Sequence, residues 1–441
     1  METTSVRERA GTAAARRAPA ARLASLDGLR GLAALVVVVH HGALTLPSLA
    51  VQFLAPDPAS PAWWLTYTPA YLVWAGREAV LVFFVLSGLV LALPRLSSRR
   101  TGGWSSYYRK RVVRLYVPVL AAVALTGLVL ALVPRVPGAG WSWWMLAHTA
   151  PVGATDLARD AVLVTGTGWA NSALWSLKYE VLFSLLLPVF VLAARRLTAP
   201  LWLSVPPVLA VTGVAAWAGA ELVGYLAVFA VGVLLAGRMT LLSSWALRVG
   251  RLRCSGVVWP ALSGSALTLL LSEVWVRLAV ADPRYWQLVG RPGAVLGAAL
   301  LVVCCLHAPG PRRLLSARPL QWLGTVSFAL YLVHEPIVVS VATVAGPTRT
   351  GVLVTLVAGT LGSLAAAALF HRLVEQPSTR LAERFGRWVR PASPVLTSRH
   401  VVATDTVLLG GLPRPAVPAR RVPVVPAPRV PRIPAGVARS F

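Results

Sequence analysis

Long apolar runs separated by short polar segments dominate the hydrophobic pattern of this chain. The runs are largely uninterrupted stretches of Leu, Val and Ala. Most approach the roughly 20 residues that an α-helix needs to cross a lipid bilayer. The pattern predicts an all-α membrane protein, a bundle of about ten transmembrane helices, at residues 28–48, 78–95, 113–133, 172–194, 201–218, 221–237, 256–276, 293–309, 323–344 and 351–373.

The basic residues between these runs predict the orientation of the bundle. Short cytoplasmic loops of membrane proteins carry an excess of Lys and Arg. With the N-terminus placed inside, the inner loops carry sixteen Lys and Arg residues and the outer loops carry seven. We therefore expect a cytoplasmic N-terminus and a cytoplasmic C-terminus. The expected location is a cell membrane, crossed several times, and specifically the bacterial plasma membrane.

The composition excludes a soluble domain and gives no support for nucleic-acid binding. Of 441 residues, 56% are hydrophobic and 13% are charged. The formal net charge is +27, but the Arg residues cluster between apolar runs and at the two ends, where a membrane protein needs anchors. We expect membrane lipids as partners and no nucleic acid. Cys254, Cys304 and Cys305 lack the spacing of a metal or redox site, so no metal is expected.

Composition also divides the chain into three parts. Residues 1–24 are rich in Ala and Arg without apolar periodicity, which predicts a disordered basic leader. Residues 25–377 hold all the apolar runs and form the predicted membrane domain. Residues 378–441 form a tail that becomes rich in Pro, Val and Arg, is unable to bury a core, and is predicted to be disordered.

The first apolar helix carries the leading candidate for chemistry. Its sequence, LDGLRGLAALVVVVHHG, places Arg30 and His41 on one helix face within about 20°, about 16 Å apart along the axis. Asp27 falls on the same face. An ionisable residue deep in a membrane helix is costly, so its default interpretation is functional. His40 lies about 80° around the helix and is interpreted as a packing residue.

Two further segments place polar groups toward the inner side. In helix two, Ser87-Gly88 is a small pair that suits either close helix packing or contact with a substrate. The basic segment that follows contains Arg111 and Arg114, which share a helical face. Four cations within six residues are commonly membrane anchors. They are also suited to clamp a polyphosphate, because guanidinium pairs with phosphate in bidentate geometry.

Helices four and nine carry polar side chains at helical spacing. Ser176 and Glu180 follow one another on one face of helix four, and the carboxylate should face the bundle interior and have a partner. On helix nine, Tyr331 and His334 share a face, with His334 at nearly the depth of His41. Together with the inner arginines, these groups predict a polar path across the membrane.

Tryptophan residues mark the predicted outer side. Indole rings prefer the membrane interface, so an aromatic belt explains them most simply. Stacking of a sugar ring on some of them is the functional alternative. The outer segment 134–171 is expected to hold an interfacial helix near 141–150 and an amphipathic or re-entrant piece near 156–165.

These motifs, taken in order, resemble the acyltransferase-3 family of integral membrane acyltransferases. The resemblance extends from Leu26 to Pro377 and rests on several motifs in sequence: LDGLRGLAALVVVVHH, FFVLSG, RKRVVRLYVP, LWSLKYE, FAVGVLLAG and LGTVSFALYLVHEP. The closing motif departs from the family's acidic-Arg-Pro pattern. Gln376 stands between Glu375 and Pro377, at the position where the family's pattern has arginine.

The resemblance implies a ten-helix acyltransferase domain at residues 25–377. Members of this family transfer an acyl group, often acetyl, from an acyl-coenzyme A donor to a hydroxyl, commonly of a carbohydrate. The donor is a substrate, and no permanently bound cofactor is expected. By motif position the resemblance implies an essential pair, Arg30 and His41, coenzyme-side cations, Arg111 and Arg114, and cavity residues, Glu180 and His334.

The chemistry of the residues agrees with an O-acyltransferase. A neutral imidazole can take the proton of an acceptor hydroxyl near pH 7, and no GxSxG elbow or Cys-His pair suggests a covalent serine or cysteine route. Whether His41 is a base or an acyl carrier stays open. The predicted catalytic residues are His41, Arg30 and Glu180; the predicted donor- and substrate-binding residues are Asp27, Ser87, Arg111, Arg114, Ser176, Tyr331 and His334.

Two other classes compete with this interpretation. A transporter or flippase for a lipid-linked glycan would also need ten spans, polar groups at the midplane and an aromatic outer rim. A non-catalytic membrane scaffold is disfavoured, because burying His41, Glu180 and His334 in a membrane is costly without a function.

Overall fold

A computed structural model describes residues 24–97, 103–280 and 282–387, and these residues form helices and connecting turns without a β-strand. Most of the predicted leader and tail lies outside the described residues. The long helices are α1 (Ala24–Leu44), α2 (Gly76–Leu96), α3 (Trp104–Leu132), α4 (Trp175–Arg196), α5 (Leu201–Trp217), α6 (Glu221–Gly237), α7 (Ser255–Leu270), α8 (Pro283–His307), α9 (Arg318–Ala345) and α10, which begins at Arg349.

Helix α10 is built from three α-helical segments separated by two π-helical turns. The helical segments are Arg349–Val354, Thr360–Phe370 and Gln376–Arg387, and the π turns are Thr355–Gly359 and His371–Glu375.

Every predicted apolar run coincides with a helix. Fewer than ten of these helices, however, are long and apolar enough to count as membrane spans. Seven helices are long and apolar enough to cross a membrane. Two bent pairs, Glu221–Gly237 with Met239–Arg251 and Ser255–Leu270 with Ser272–Ala279, raise the number to nine if each is one span. Helix α5 is apolar but shorter, at 17 residues. The described chain therefore has seven to nine candidate spans, and the tenth stays a prediction that depends on α5.

Short helices connect the long ones. On the predicted outer side the α1–α2 and α3–α4 connections contain Pro47–Ala50, Val51–Phe53, Pro61–Tyr67, Pro69–Val73, Trp143–Ala147, Ala154–Val162 and Ser172–Leu174. Trp143–Ala147 and Ala154–Val162 fall where the sequence placed an interfacial helix and an amphipathic piece. Pro309–Leu315 connects α8 with α9. Ser172–Leu174 is a single turn that leads directly into α4.

Helices α1 and α9 touch at their backbones, and this contact positions the candidate site. A Cβ atom on Gly31 of α1 would overlap the backbone of Gly324 on α9. Only a residue without a side chain allows helices to approach so closely. The contact brings the Arg30 and His41 face of α1 against the polar face of α9.

The last helix continues past the predicted end of the membrane domain. We expected the tail to begin after Pro377, but the segment Gln376–Arg387 is helical and contacts α3, with Ala382 buried. Proline removes an N–H donor and normally ends or kinks a helix. Here the π turn His371–Glu375 ends two residues before Pro377, and such a turn changes the backbone hydrogen-bond register next to the proline.

The predicted orientation has a direct test. A reporter tag inserted within residues 197–200, between α4 and α5, should report the cytoplasm, and a tag beside residue 284, at the start of α8, should report the outside, because the inner loops carry the basic excess. Binding of an antibody to each tag, compared between intact and permeabilised cells, locates both positions. A cytoplasmic result at residue 284 would show that the ten-span orientation is wrong.

Candidate active site

Two histidines from different helices form a direct hydrogen bond in the predicted outer half of the bundle. Nδ1 of His41, near the end of α1, lies 2.7 Å from Nε2 of His334 on α9. The other ring nitrogen of His334 lies 3.0 and 2.9 Å from the carbonyl oxygens of Leu330 and Tyr331. Since a carbonyl only accepts, Nδ1 of His334 carries a proton and its Nε2 accepts from His41. In the neutral pair, Nε2 of His41 is left free to take a proton.

The carboxylate beside this pair is Glu335, which follows His334 on α9. Its Oε2 atom lies 3.9 Å from Nε2 of His41. Both Glu335 oxygens accept hydrogen bonds from other groups: His148 donates to Oε1 at 2.8 Å, and Ser172 and Ala173 at the start of the α4 segment donate through backbone N–H groups at 2.5 and 2.6 Å. A helix N-terminus stabilises a negative charge, so the carboxylate is held in its ionised form.

His41 is enclosed by two rings. Its imidazole stacks on Trp144 at a centroid distance of 5.3 Å, and the hydrogen-bonded His334 ring lies nearly in its plane, with the two centroids 5.0 Å apart. The side chain of His41 is nevertheless 12% exposed, whereas those of Glu335 and His148 are fully buried. His41 is therefore the member of this cluster that a substrate can reach.

A chain of cavities lies below the histidines, on the predicted inner side. One cavity, with a volume of about 130 Å³, is lined by Tyr331 and Ser176 at one end and by Arg111, Arg114 and Glu375. Two wider cavities of about 240 and 370 Å³ share Arg111 and Arg114 with it. The largest of the three lies among basic residues at the end of α2 and the start of α3, and the smallest reaches Tyr331. The three cavities are together called the passage.

Arg30 and its neighbours form one wall of these cavities. Its guanidinium donates to Oγ of Ser327 at 3.0 Å and to the carbonyl oxygen of Gly324 at 3.2 Å. Asp27 lies 3.4 Å from the same guanidinium and is half-exposed. Ser87 lines two of the three cavities. The predicted helix face that joins Arg30 to His41 is therefore present, with Arg30 in the cavity and His41 above it.

Glu180 belongs to the inner cavity and not to the histidine cluster. It forms an ion pair with Arg111 at 2.5 Å, and Ser184 accepts from Nε of Arg111 at 2.9 Å. The sequence predicted that Glu180 faces the bundle interior with a partner, and Arg111 is that partner. Arg111 is thereby fixed on the wall that Arg114 also lines.

A layer of side chains separates the cavity from His41. At the top of the cavity Ser176 and Tyr331 share a hydrogen bond of 2.7 Å, and the Tyr331 ring lies 5.9 Å from that of His334. Tyr331 packs here with buried Ala33, Val37 and Ala79. The inner end of the site and its histidine end are therefore adjacent but closed from each other in this conformation.

Comparison with known proteins shows which family contains this chain. A family profile described as an acyltransferase domain matches residues 23–372. The chain belongs to the acyltransferase-3 family. It is therefore an acyltransferase, and its several apolar helices make it a multi-pass membrane protein.

Two relatives carry the same activity in their names. The chain is 27% identical over 399 residues to "Acyltransferase MdmB" of Streptomyces mycarofaciens, covering 82% of this chain and 93% of that one. It is 32% identical over 121 residues to "Acyltransferase R4" of Phoma sp., covering 24% of each chain. No solved structure gives a significant match.

Four residues of the acyltransferase site were missed by the sequence analysis: Glu335, His148, Trp144 and Glu375. Glu335 had a signal, since it is a charged residue inside an apolar helix beside His334. Glu375 was noted only as part of the closing motif, and it lines the inner cavity. His148 and Trp144 had no signal that distinguishes them from interface residues, because their role depends on contacts with distant helices.

The histidine cluster of the acyltransferase is the one group of described residues with donors close enough together to suit a metal. His41, His334 and Glu335 offer ligand atoms within 4.8 Å of one another. However, the facing nitrogens of the two histidines lie 2.7 Å apart, shorter than the about 3.3 Å between two nitrogen ligands of tetrahedral zinc. The geometry is that of a hydrogen bond between the two rings.

Asp160, in the short helix Ala154–Val162 of the acyltransferase, gives a prediction about stability. Burial raises the pKa of this carboxyl from 3.8 to about 6. A raised folded-state pKa contributes stability that is fully present below pH 3.8 and is lost as pH rises through about 6. Asp160→Asn keeps the oxygen that accepts from the backbone N–H of Gly168 but cannot ionise. We expect its thermal midpoint to exceed that of the wild type by a few degrees at pH 7.5 and to match it near pH 4.

Thermal unfolding in detergent at several pH values checks this expectation. Asp156→Asn, on the same short helix, is the matched control, since its carboxylate is more exposed and caps the backbone N–H of Gly153. Parallel stability curves for wild type and Asp160→Asn between pH 4 and 7.5 would contradict the prediction.

Proposed function

We propose that this acyltransferase moves an acyl group, specifically acetyl, from acyl-coenzyme A to a hydroxyl group of a carbohydrate or glycosylated acceptor. The observation that carries the proposal is the series of inner cavities lined by Arg111 and Arg114, which ends at the Ser176–Tyr331 layer next to His334. A donor with a polyphosphate at one end and a thioester at the other fits such a passage. We further propose that the protein works in the bacterial plasma membrane.

The phosphate end of the donor would lie among the inner cations. Arg111 and Arg114 line all three cavities, and Arg95 and Lys110 line the widest one. Guanidinium groups pair with phosphate through two parallel hydrogen bonds. Arg111 is already oriented by Glu180 and Ser184, so less side-chain freedom is lost when a phosphate binds.

The narrow part of the passage suits the uncharged arm of coenzyme A. Val80, Phe83 and Phe84 give it an apolar wall, and the hydroxyl groups of Ser87, Ser176 and Ser327 face the same cavity, where they can bond to the amides of that arm. The Ser176–Tyr331 layer at its end must open to bring the thioester to His41. Apolar walls at this point also limit the access of water, which would otherwise hydrolyse the thioester.

The reaction follows from the free nitrogen of His41. Nε2 of His41 takes the hydroxyl proton of the acceptor while the hydroxyl oxygen attacks the thioester carbon. The new carbon–oxygen bond forms, the carbon–sulfur bond breaks, and the coenzyme A thiolate leaves and takes up a proton. A route through an acyl-imidazole on His41 has the same net balance. His334 orients the ring in both routes, because it accepts from Nδ1.

A carbohydrate acceptor is supported by the aromatic groups on the predicted outer side. Trp64, Trp143 and Trp169 are exposed there, with 62, 39 and 42% of their surface accessible. Indole faces stack on the apolar faces of sugar rings, and they are also common at membrane interfaces. We assign the sugar-stacking role to the exposed tryptophans nearest the histidine cluster. The ring centroid of Trp169 lies 5.2 Å from that of His148.

Purified protein in detergent tests the proposed function. It is incubated with acetyl-coenzyme A and a panel of acceptors that includes cell-envelope polysaccharide fragments, glycolipids and glycosylated small metabolites, and release of free thiol is followed. We expect thiol release that depends on one acceptor class and a matching mass increase of that acceptor. Transfer from other acyl donors with none from acetyl-coenzyme A would overturn the acetyl assignment.

A further inference from the structure

We propose that Glu335 is a positioning residue for the acyl transfer, which strengthens His41 as a base through its charge, and that His148 sets how strong this effect is. The inference rests on the proposed function. It concerns a carboxylate that lies within the motif LGTVSFALYLVHEP but was given no role there, and that accepts a hydrogen bond from a residue 187 positions away.

The hydrogen bonds of Glu335 exclude a role in proton transfer. Oε1 accepts from Nε2 of His148 and from the backbone N–H of Ser172, and Oε2 accepts from Oγ of Ser172 at 3.0 Å and from the backbone N–H of Ala173. Four donors occupy the four lone-pair positions of the two oxygens. Glu335 therefore acts on His41 by charge and not by taking a proton from the substrate.

The distance to His41 suits an electrostatic role. Oε2 of Glu335 lies 3.9 Å from Nε2 of His41, the atom that receives the hydroxyl proton. When His41 becomes an imidazolium, the two charges attract each other in a site where Glu335 is fully buried and water cannot screen it. The protonated state formed in the transition state is thereby stabilised more than the neutral ground state.

His148 is a counter-charge that moderates Glu335. Its Nδ1 donates to the carbonyl oxygen of Trp144 and its Nε2 donates to Glu335, both at 2.8 Å. Both ring nitrogens face acceptors, so only the imidazolium form of His148, which carries a positive charge, makes the two hydrogen bonds together. The same Trp144 stacks on His41, so the short helix Trp143–Ala147 ties the counter-charge to the catalytic ring.

Other charged or titratable groups also act on this cluster. His334 is hydrogen-bonded to His41, and the His40 ring lies 5.6 Å from that of His41. Arg135 donates to the backbone beside Asn171, and Asp160 lies on the neighbouring outer helix. Glu335 is the one carboxylate among these groups that makes an ion pair with His41, so its removal should have a distinct effect.

The test is the pH dependence of acyl transfer in two variants with opposite expected shifts. Glu335→Gln keeps the size of the side chain and removes its charge. We expect the acid limb of the rate profile to move to lower pH by about one unit or more, and the limiting rate to fall about 10-fold, because a weaker base transfers the proton less readily. His148→Gln keeps a donor to Glu335 and removes the counter-charge, so the acid limb should move to higher pH.

The control is Glu221→Gln, which removes a carboxylate that accepts from Tyr179 at 2.9 Å at the outer end of α6, away from the cluster. Its acid limb should match the wild type. If Glu335 only joins α9 to the start of α4, Glu335→Gln will lower the thermal midpoint and leave the acid limb in place, which overturns the proposal. If that variant does not fold, an unshifted acid limb in His148→Gln overturns it instead.

Different results would contradict the proposed function and the proposed role of Glu335. Absence of acyl transfer by the wild-type protein with every acceptor would contradict the proposed function. Wild-type acyl transfer together with unshifted acid limbs in both variants would leave the proposed function standing and overturn the role of Glu335.

Discussion

His41→Ala should lower the rate of acyl transfer by about 10²–10⁴-fold, the usual contribution of a general base. His41 supplies the free Nε2 atom and is the exposed member of the histidine cluster. Alanine removes that nitrogen and leaves His334 without the donor to its Nε2. The initial rate of thiol release at saturating donor and acceptor measures the effect, and size-exclusion chromatography with thermal unfolding shows whether the variant is folded.

His40→Ala is the control for this prediction. Nδ1 of His40 donates to the carbonyl oxygen of Trp74 at 2.8 Å, and its ring stacks on the Trp74 ring. These contacts are those of a packing residue, as the sequence predicted. The variant should lose some thermal stability and much less activity than His41→Ala. Wild-type activity in His41→Ala would refute the mechanism.

Arg111→Ala should raise the KM for acyl-coenzyme A by about 10–100-fold, the effect of losing a charge-assisted, bidentate contact with phosphate. The KM for the acceptor should change far less, since Arg111 lies in the inner cavity with Glu180 and away from the histidines. Steady-state kinetics with each substrate varied in turn measure both constants. Arg114→Ala should also raise the KM for acyl-coenzyme A more than the KM for the acceptor.

Arg196→Ala is the matched control, because Arg196 is an exposed cation at the inner end of α4 that lines none of the three cavities. It should leave both KM values unchanged. Equal increases of the two KM values in Arg111→Ala would indicate that the arginine is a structural anchor. Glu180→Gln offers a further check, since it frees Arg111 from its ion pair without removing the cation.

The sequence predicts the relative positions of site residues that lie on the same helix. A single α-helix sets the 16 Å between Arg30 and His41 through its rise per residue, so their shared face follows from spacing alone. The same holds for Arg111 with Arg114 and for Tyr331 with His334. Apolar length likewise predicts the position of each long helix, although bends such as the 68° break after Gly237 do not follow from hydropathy.

The sequence does not predict contacts between segments that lie far apart in the chain. Glu335 meets His148 and the start of the α4 segment only after the outer connections have folded over the end of α1. No helical period relates residues 148 and 335. The pairing of Glu180 with Arg111, and not with a histidine, depends in the same way on how α3 and α4 pack. The helical segment beyond Pro377 is a further case, since its stability depends on packing against α3.

The most direct test of the central claim follows the fate of the acyl group. Acetyl-coenzyme A labelled on its acetyl carbon is supplied to wild-type protein and to His41→Ala, reconstituted in lipid vesicles with the acceptor identified by the panel. Mass spectrometry of the acceptor and titration of free thiol are then compared. We expect one labelled acetyl ester on the acceptor for each thiol released by the wild type, and about 10²–10⁴-fold slower formation of both products by His41→Ala. Movement of the glycan across the vesicle membrane without label on the acceptor would contradict it and favour a transporter.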